Sequence, residues 1–163
     1  MIRAGVLTIS DKGSRGQRED TAGPLLVEIL TGAGYKVVRQ EVVPDNREMI
    51  AERLIGWVDK EGLRLVVTTG GTGVSPTDVT PEAMSEVISY QIPGMAEAMR
   101  ASSLKKTPHA MLSRAMAGVR GISLIINVPG SPKAAEENLL VVLPALEHAL
   151  AKIGGDTSEC AAP

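Results

Sequence analysis

The chain has 163 residues, of which 44% are hydrophobic and 22% charged, with a net charge of −2. That length suits one well-packed domain, and the near-neutral balance offers no basic surface for nucleic acid. Aromatics are limited to Tyr35, Trp57 and Tyr90, so stacking platforms for single-stranded nucleic acid are not expected. A lone cysteine, Cys160, gives neither a disulfide nor a cysteine metal cluster, and no run reaches membrane-spanning length. The first residues turn polar too soon for a signal peptide, so the expected location is cytoplasmic, with no membrane partner.

Residues 2–9, with Val6, Leu7 and Ile9, predict a first strand. A polar, glycine-containing loop follows over residues 10–16. Asp20 or Thr21 caps a helix carrying Leu25, Leu26, Ile29 and Leu30, and Gly32 or Gly34 ends it. Residues 35–43 form a second strand, and its Lys36, Arg39 and Glu41 mark an edge or half-exposed position. Pro44-Asp45-Asn46 breaks it. Asp45-Asn46-Arg47-Glu48 has the spacing of a capping box and opens a helix to about residue 61, with Ile50, Leu54, Ile55 and Val58 near one stripe.

Residues 65–68 read as a short buried strand that runs into Gly70-Gly71-Thr72-Gly73, an acidic turn, and then Thr80-Pro81-Glu82. Threonine as cap, proline in the first turn and glutamate at the positive end of the dipole predict a helix from 81 to 90. Pro93-Gly94 precedes a short helix over 95–103, and residues 105–117 carry no clear pattern. Residues 122–128 are a buried strand. They end in Asn127-Val128-Pro129-Gly130-Ser131-Pro132-Lys133, before a last helix over 133–153 rich in leucine. Residues 154–163 are expected to be a disordered tail, which leaves a single domain over 1–153. The methionines read as core filler.

Alternating strands and helices predict an α/β fold with a mostly parallel sheet covered on both faces. In such a sheet the loops at 10–16, 44–46, 69–80 and 129–133 fall on one edge, where ligands bind. Ser10, Asp11, Asp45, Asp78, Ser131 and Lys133 would gather there among glycines. Aspartates and a lysine beside oriented amides fit Mg²⁺-assisted phosphate chemistry. The glycine loop has neither the P-loop lysine nor the GxGxxG spacing. Plainer roles stand beside these. Asp45 has the position of a helix cap, Asp78 that of an Asx-turn, Lys133 that of a solvated helix-end residue, and Glu97 with Arg100 that of a surface pair.

Thr69-Gly70-Gly71-Thr72-Gly73 followed by Asp78-Val79-Thr80-Pro81-Glu82-Ala83 resembles the signature of the molybdopterin-binding family, in its MogA/MoaB branch, which includes the gephyrin G domain. The likeness extends through Thr8-Ile9-Ser10-Asp11, Pro44-Asp45, Pro93-Gly94-Met95-Ala96-Glu97, Leu112-Ser113-Arg114, Ala117-Gly118-Val119-Arg120-Gly121 and Asn127 to Lys133. It implies a three-layer α/β/α fold, a homotrimer, and adenylylation of the terminal phosphate of molybdopterin by Mg-ATP. It implies Asp45 and Asp78 as the catalytic, metal-holding pair. Thr69, Gly70, Gly71, Thr72, Gly73, Glu97, Ser113, Arg114, Ser131 and Lys133 would contact molybdopterin. Thr8, Ser10, Asp11, Pro129 and Gly130 would contact ATP. A phosphate monoester is mostly dianionic near neutral pH and needs little base catalysis, so the aspartates fit metal binding better than proton transfer. Many members carry arginine where this chain has Thr77. The alternative is a member that binds molybdopterin or a partner without turnover.

Overall fold

The computed structural model describes residues 1–160. Its strands are β1 (Arg3–Ile9), β2 (Lys36–Val43), β3 (Leu65–Thr69), β4 (Tyr90–Gln91), β5 (Ala117–Arg120) and β6 (Ser123–Val128). They form one six-stranded sheet in the order β2-β1-β3-β6-β5-β4. β2, β1, β3 and β6 run parallel, while β5 and β4 continue the sheet antiparallel. The helices are α1 (Asp11–Ser14), α2 (Ala22–Gly32), α3 (Arg47–Ile55), α4 (Thr80–Val87), α5 (Pro93–Leu104) and α6 (Pro132–Ile153).

The central strands are apolar on both sides because helices cover both sides. Val6, Val67 and Ile126 point to a core shared with Leu26, Met99, Leu139 and Leu146 of α2, α5 and α6. Their neighbours Leu7, Val66 and Ile125 point the other way, to Ile50, Leu54, Trp57 and Met84. This is the expected three-layer α/β/α arrangement. Met84, Met95 and Met99 are buried as core filler, whereas Met49 and Met111 are exposed. β2 lies at one edge of the sheet, with Lys36, Arg39 and Gln40 exposed.

Several local expectations are corrected. The start of the 10–16 loop is the short helix α1, because the Ser10 hydroxyl accepts from the Gly13 N–H at 3.0 Å. α3 is capped by Asn46, whose side-chain oxygen accepts from the Met49 N–H at 2.9 Å, and not by Asp45. Beyond Ile55 the helix widens into a π turn over Gly56–Lys60. Thr80 is the first residue of α4 rather than its cap, and its hydroxyl donates to the Gly70 carbonyl at 2.9 Å. α4 stops at Val87, before Tyr90, because Ile88 turns extended to enter β4. The unpatterned 105–117 stretch holds a 3₁₀ turn, Pro108–Leu112, and leads into β5. α6 ends at Ile153. The last three residues of the expected tail lie outside the described residues.

Candidate functional site

β1, β2, β3 and β6 are parallel, so their carboxyl ends share one edge of the sheet. A cavity of about 530 Å³ opens there, lined by all four expected loops. It takes Thr8 and Ser10 from the end of β1, Asp45 from the end of β2, and Thr69, Gly70, Gly71, Thr77 and Asp78 from the end of β3. Gly130 and Ser131 come from the end of β6.

The glycine loop makes the approach of the two carboxylates possible. A Cβ at Gly71 would lie 3.2 Å from Asp45 Oδ1, and one at Gly73 would lie 2.7 Å from Asp78 Oδ2. The acidic groups therefore rest against bare backbone at two points of one loop. Gly70 is fixed more tightly still. Its φ is +105°, and a Cβ there would fall 2.2 Å from the Ile9 carbonyl oxygen. The Gly70 N–H donates to the Val128 carbonyl at 3.1 Å, so amide donation to a ligand falls to the residues after it.

Asp45 is held by a reciprocal pair. Its carboxylate accepts from the Asp11 N–H at 2.9 Å, and its own N–H donates to the Asp11 carboxylate at 2.9 Å. With α3 capped by Asn46, the Asp45 side chain is free of the capping role and faces the cavity. Partial burial pushes its carboxyl above the ordinary aspartate range, and the charges of Asp11 and Asp78 add to the rise against backbone hydrogen bonds that oppose it. Asp78 makes no Asx-turn with Thr80. Its carboxylate accepts instead from the Ser75 N–H at 3.0 Å, three residues back.

Other expected site residues have structural duties. The Thr8 hydroxyl donates to Asp20 at 2.8 Å, and the Thr69 hydroxyl donates to the Pro129 carbonyl at 2.7 Å. The Ser131 hydroxyl caps α6 by accepting from the Ala134 N–H at 3.2 Å. Asp11 lies behind Asp45 and does not line the cavity. Lys133 is exposed on the first turn of α6, also outside the lining.

Glu97, Ser113 and Arg114 are not in this cavity. They line a separate depression of about 290 Å³ with Arg100. Glu97 and Arg100 form no ion pair. The Arg100 guanidinium donates instead to the Ala115 carbonyl at 2.7 Å. Thr72, Gly73, Ser113 and Pro129 border a third, mainly apolar cavity of about 260 Å³ with His109 and Asn138. The glycine loop thus stands as a wall, with Gly70 and Gly71 facing the acidic cavity and Thr72 and Gly73 facing the apolar one.

Sequence reasoning missed Arg18 and Glu19 as cavity residues, and it read Asp20 only as a helix cap. Asp20 does accept from the Gly23 N–H at 2.9 Å, but it also receives Thr8 and lines the cavity. The run of charged residues before α2 was the available signal.

Residues 5–148 match the family model described as "Probable molybdopterin binding domain". The chain is 43% identical over 157 residues to a protein named molybdopterin adenylyltransferase from Helicobacter pylori strain J99, covering 95% of this chain and 89% of that one. It is 41% identical over 159 residues to molybdenum cofactor synthesis protein cinnamon of Drosophila melanogaster; the match covers 96% of this chain but only 26% of that longer protein. The crystal structure of the molybdopterin biosynthesis enzyme MoaB from Thermus thermophilus superposes with a TM-score of 0.90 at 52% identity, covering 95% of this chain and 98% of that one.

Proposed function

Because the chain belongs to the molybdopterin binding domain family, we propose that it is a molybdopterin adenylyltransferase of molybdenum cofactor biosynthesis. In this reaction an oxygen of the molybdopterin terminal phosphate bonds to the α-phosphorus of ATP. The bond from that phosphorus to the β-phosphate oxygen breaks, and its electron pair leaves with pyrophosphate. The observation that carries the reading is the pair Asp45 and Asp78, set against one glycine loop on one cavity at the carboxyl edge of the sheet.

That pair fits Mg²⁺. The donors are hard carboxylate oxygens, the charges of Asp11 and Asp78 help to raise the Asp45 carboxyl, and Mg²⁺ commonly takes one or two carboxylates plus substrate phosphates. Held by Asp45 and Asp78, Mg²⁺ would supply charge neutralisation between the two anionic substrates. The chain itself does the positioning. Asp11 holds Asp45, and the backbone of Gly71 borders the same cavity, where its amide would meet a phosphate. Thr8, Ser10, Gly130 and Ser131, with Arg18 as cation, form the nucleotide side. Thr72, Gly73 and Ser113 border the pterin side. Glu97, Arg114 and Lys133 lie outside the acidic cavity, so direct contact from them is not part of this reading.

The decisive experiment incubates the protein with molybdopterin, ATP and Mg²⁺ and follows adenylylated pterin and pyrophosphate. Both should appear in equal amounts, and chelation of Mg²⁺ should stop them. Binding of molybdopterin without either product would make the chain a non-catalytic member of the family.

The same reading carries a cytoplasmic homotrimer. No helix among the described residues is long and apolar enough to cross a membrane. Leu104, Met111 and Leu112 are exposed on neighbouring segments and offer apolar surface for a subunit contact. Light scattering is expected to give about 51 kDa, three times the 17.1 kDa chain. A stable monomer at micromolar concentration would overturn the trimer.

A further inference from the structure

The geometry points to Arg114 as a positioning residue that sets Asp78 through the backbone of its loop, and not as a contact to substrate. The loop from Gly73 to Asp78 has little of its own to hold it. Val74, Ser75, Pro76 and Thr77 are exposed, and the loop's internal bonds run only between Ser75, Thr77 and Asp78. Among the described residues, Arg114 alone reaches residues 73–78 by hydrogen bond from outside the loop. Its Nε donates to the Gly73 carbonyl at 2.8 Å and its Nη2 to the Asp78 carbonyl at 2.9 Å. Its Nη1 pairs with Glu82 on the first turn of α4, and its backbone N–H donates to the Thr72 carbonyl at 2.7 Å. One planar fork therefore ties the start of the loop, its end and the helix behind it.

Arg114 is fixed in turn. Arg100 Nη1 donates to the Ala115 carbonyl at 2.7 Å and to the Ser113 carbonyl at 3.3 Å, one on each side of it. One N–H on each nitrogen of the Arg114 guanidinium is engaged within the protein, so the plane of the group is fixed. Because Asp78 is fastened by its main chain, loosening the clamp releases the carboxylate without changing its chemistry. The catalytic consequence rests on the proposed role of Asp78 in holding the cation; the clamp does not.

The test uses the full chain with Arg114→Lys, which keeps the charge but loses the fork, and Arg114→Ala. Amide exchange at Ser75 and Asp78, read by NMR without ligands, should speed up by more than about tenfold while the strands stay protected. In steady-state assays the half-saturating Mg²⁺ concentration should rise about tenfold, with the KM for molybdopterin within about twofold of the parent. Arg114→Lys should fall between the parent and Arg114→Ala on both readouts. Unchanged exchange in both variants would overturn the clamp. Faster exchange with a raised KM for molybdopterin and an unaltered Mg²⁺ dependence would make Arg114 a substrate contact and overturn the positioning role. A parent protein that transfers no adenylyl group would refute the proposed activity, and the exchange measurement would still decide whether Arg114 holds the loop.

Discussion

Asp45→Asn is expected to cut turnover by about 10²–10³-fold while making the ligand-free protein more stable at neutral pH. The loss follows from removing one of the two charges assigned to the cation. The gain follows from the state of the carboxyl in the fold. Burial raises its pKa, and Asp11 and Asp78 push in the same direction. An acid whose folded pKa is raised contributes stability when protonated, fully below the unfolded value. That contribution is lost as pH rises through the folded pKa. At neutral pH the wild-type chain therefore carries an ionised group that its fold disfavours. Asparagine removes the charge, keeps an oxygen for the Asp11 N–H, and leaves the Asp45 N–H on Asp11 untouched. Thermal melts should show a higher Tm for the variant at pH 7, with the gap closing as pH falls through the raised Asp45 pKa toward the ordinary aspartate value. A helix cap would behave in the opposite way, losing stability and sparing activity. An Asp45→Asn protein that melts below the parent at pH 7 would refute this assignment.

Gly70→Ala is expected to destabilise the fold by roughly 2–6 kcal/mol, combining backbone strain and overpacking. The φ of +105° lies where L side chains rarely go, and the added methyl would fall 2.2 Å from the Ile9 carbonyl. Neither β1 nor β3 is free to retreat, because β1 is paired on both sides and β3 is wedged between β1 and β6. Set against a typical stability of about 5–15 kcal/mol, the change leaves a marginal protein. Denaturant titration gives the cost directly. A midpoint shift no larger than that of Gly16→Ala, an open positive-φ site with nothing nearby, would show that the Ile9 contact adds nothing.

The sheet was legible because β1, β3 and β6 are continuous apolar runs bounded by glycine and polar loops. β4 has two residues and β5 has four, too few to show a period, and Gly118 weakens the second. The antiparallel edge therefore went unread. Asp45 was ambiguous for a local reason, since Asn46 beside it caps equally well and spacing does not choose between adjacent positions. The place of Asp78 on the cavity was legible from its loop. The hydrogen bonds of Arg114 to the glycine loop and α4 were not legible, because its partners lie 32 to 41 residues away in sequence. Arg18 went unread and Asp20 was read only as a helix cap, until folding laid both beside the ends of β1 and β3. Sequence likeness grouped Glu97, Ser113 and Arg114 with the glycine loop; in the structure all three line one depression outside the acidic cavity, and Ser113 also borders the cavity that Thr72 and Gly73 face.

The parallel pairing of β3 with β6 joins Leu65 to Leu124 and Thr69 to Val128, residues far apart in the sequence. Contacts of that separation form late and slowly, after the local helices and hairpins, because long loops must close first. The rim that carries Asp45 and Asp78 is completed only when β6 docks and brings Gly130 against Gly70. β1, β2 and β3, which carry the other walls, all precede β6 in the sequence, so the rim lacks this wall until β6 has docked. Refolding monitored by far-UV signal should therefore run ahead of recovered ligand binding, and a truncation before β6 should yield helix content without a site.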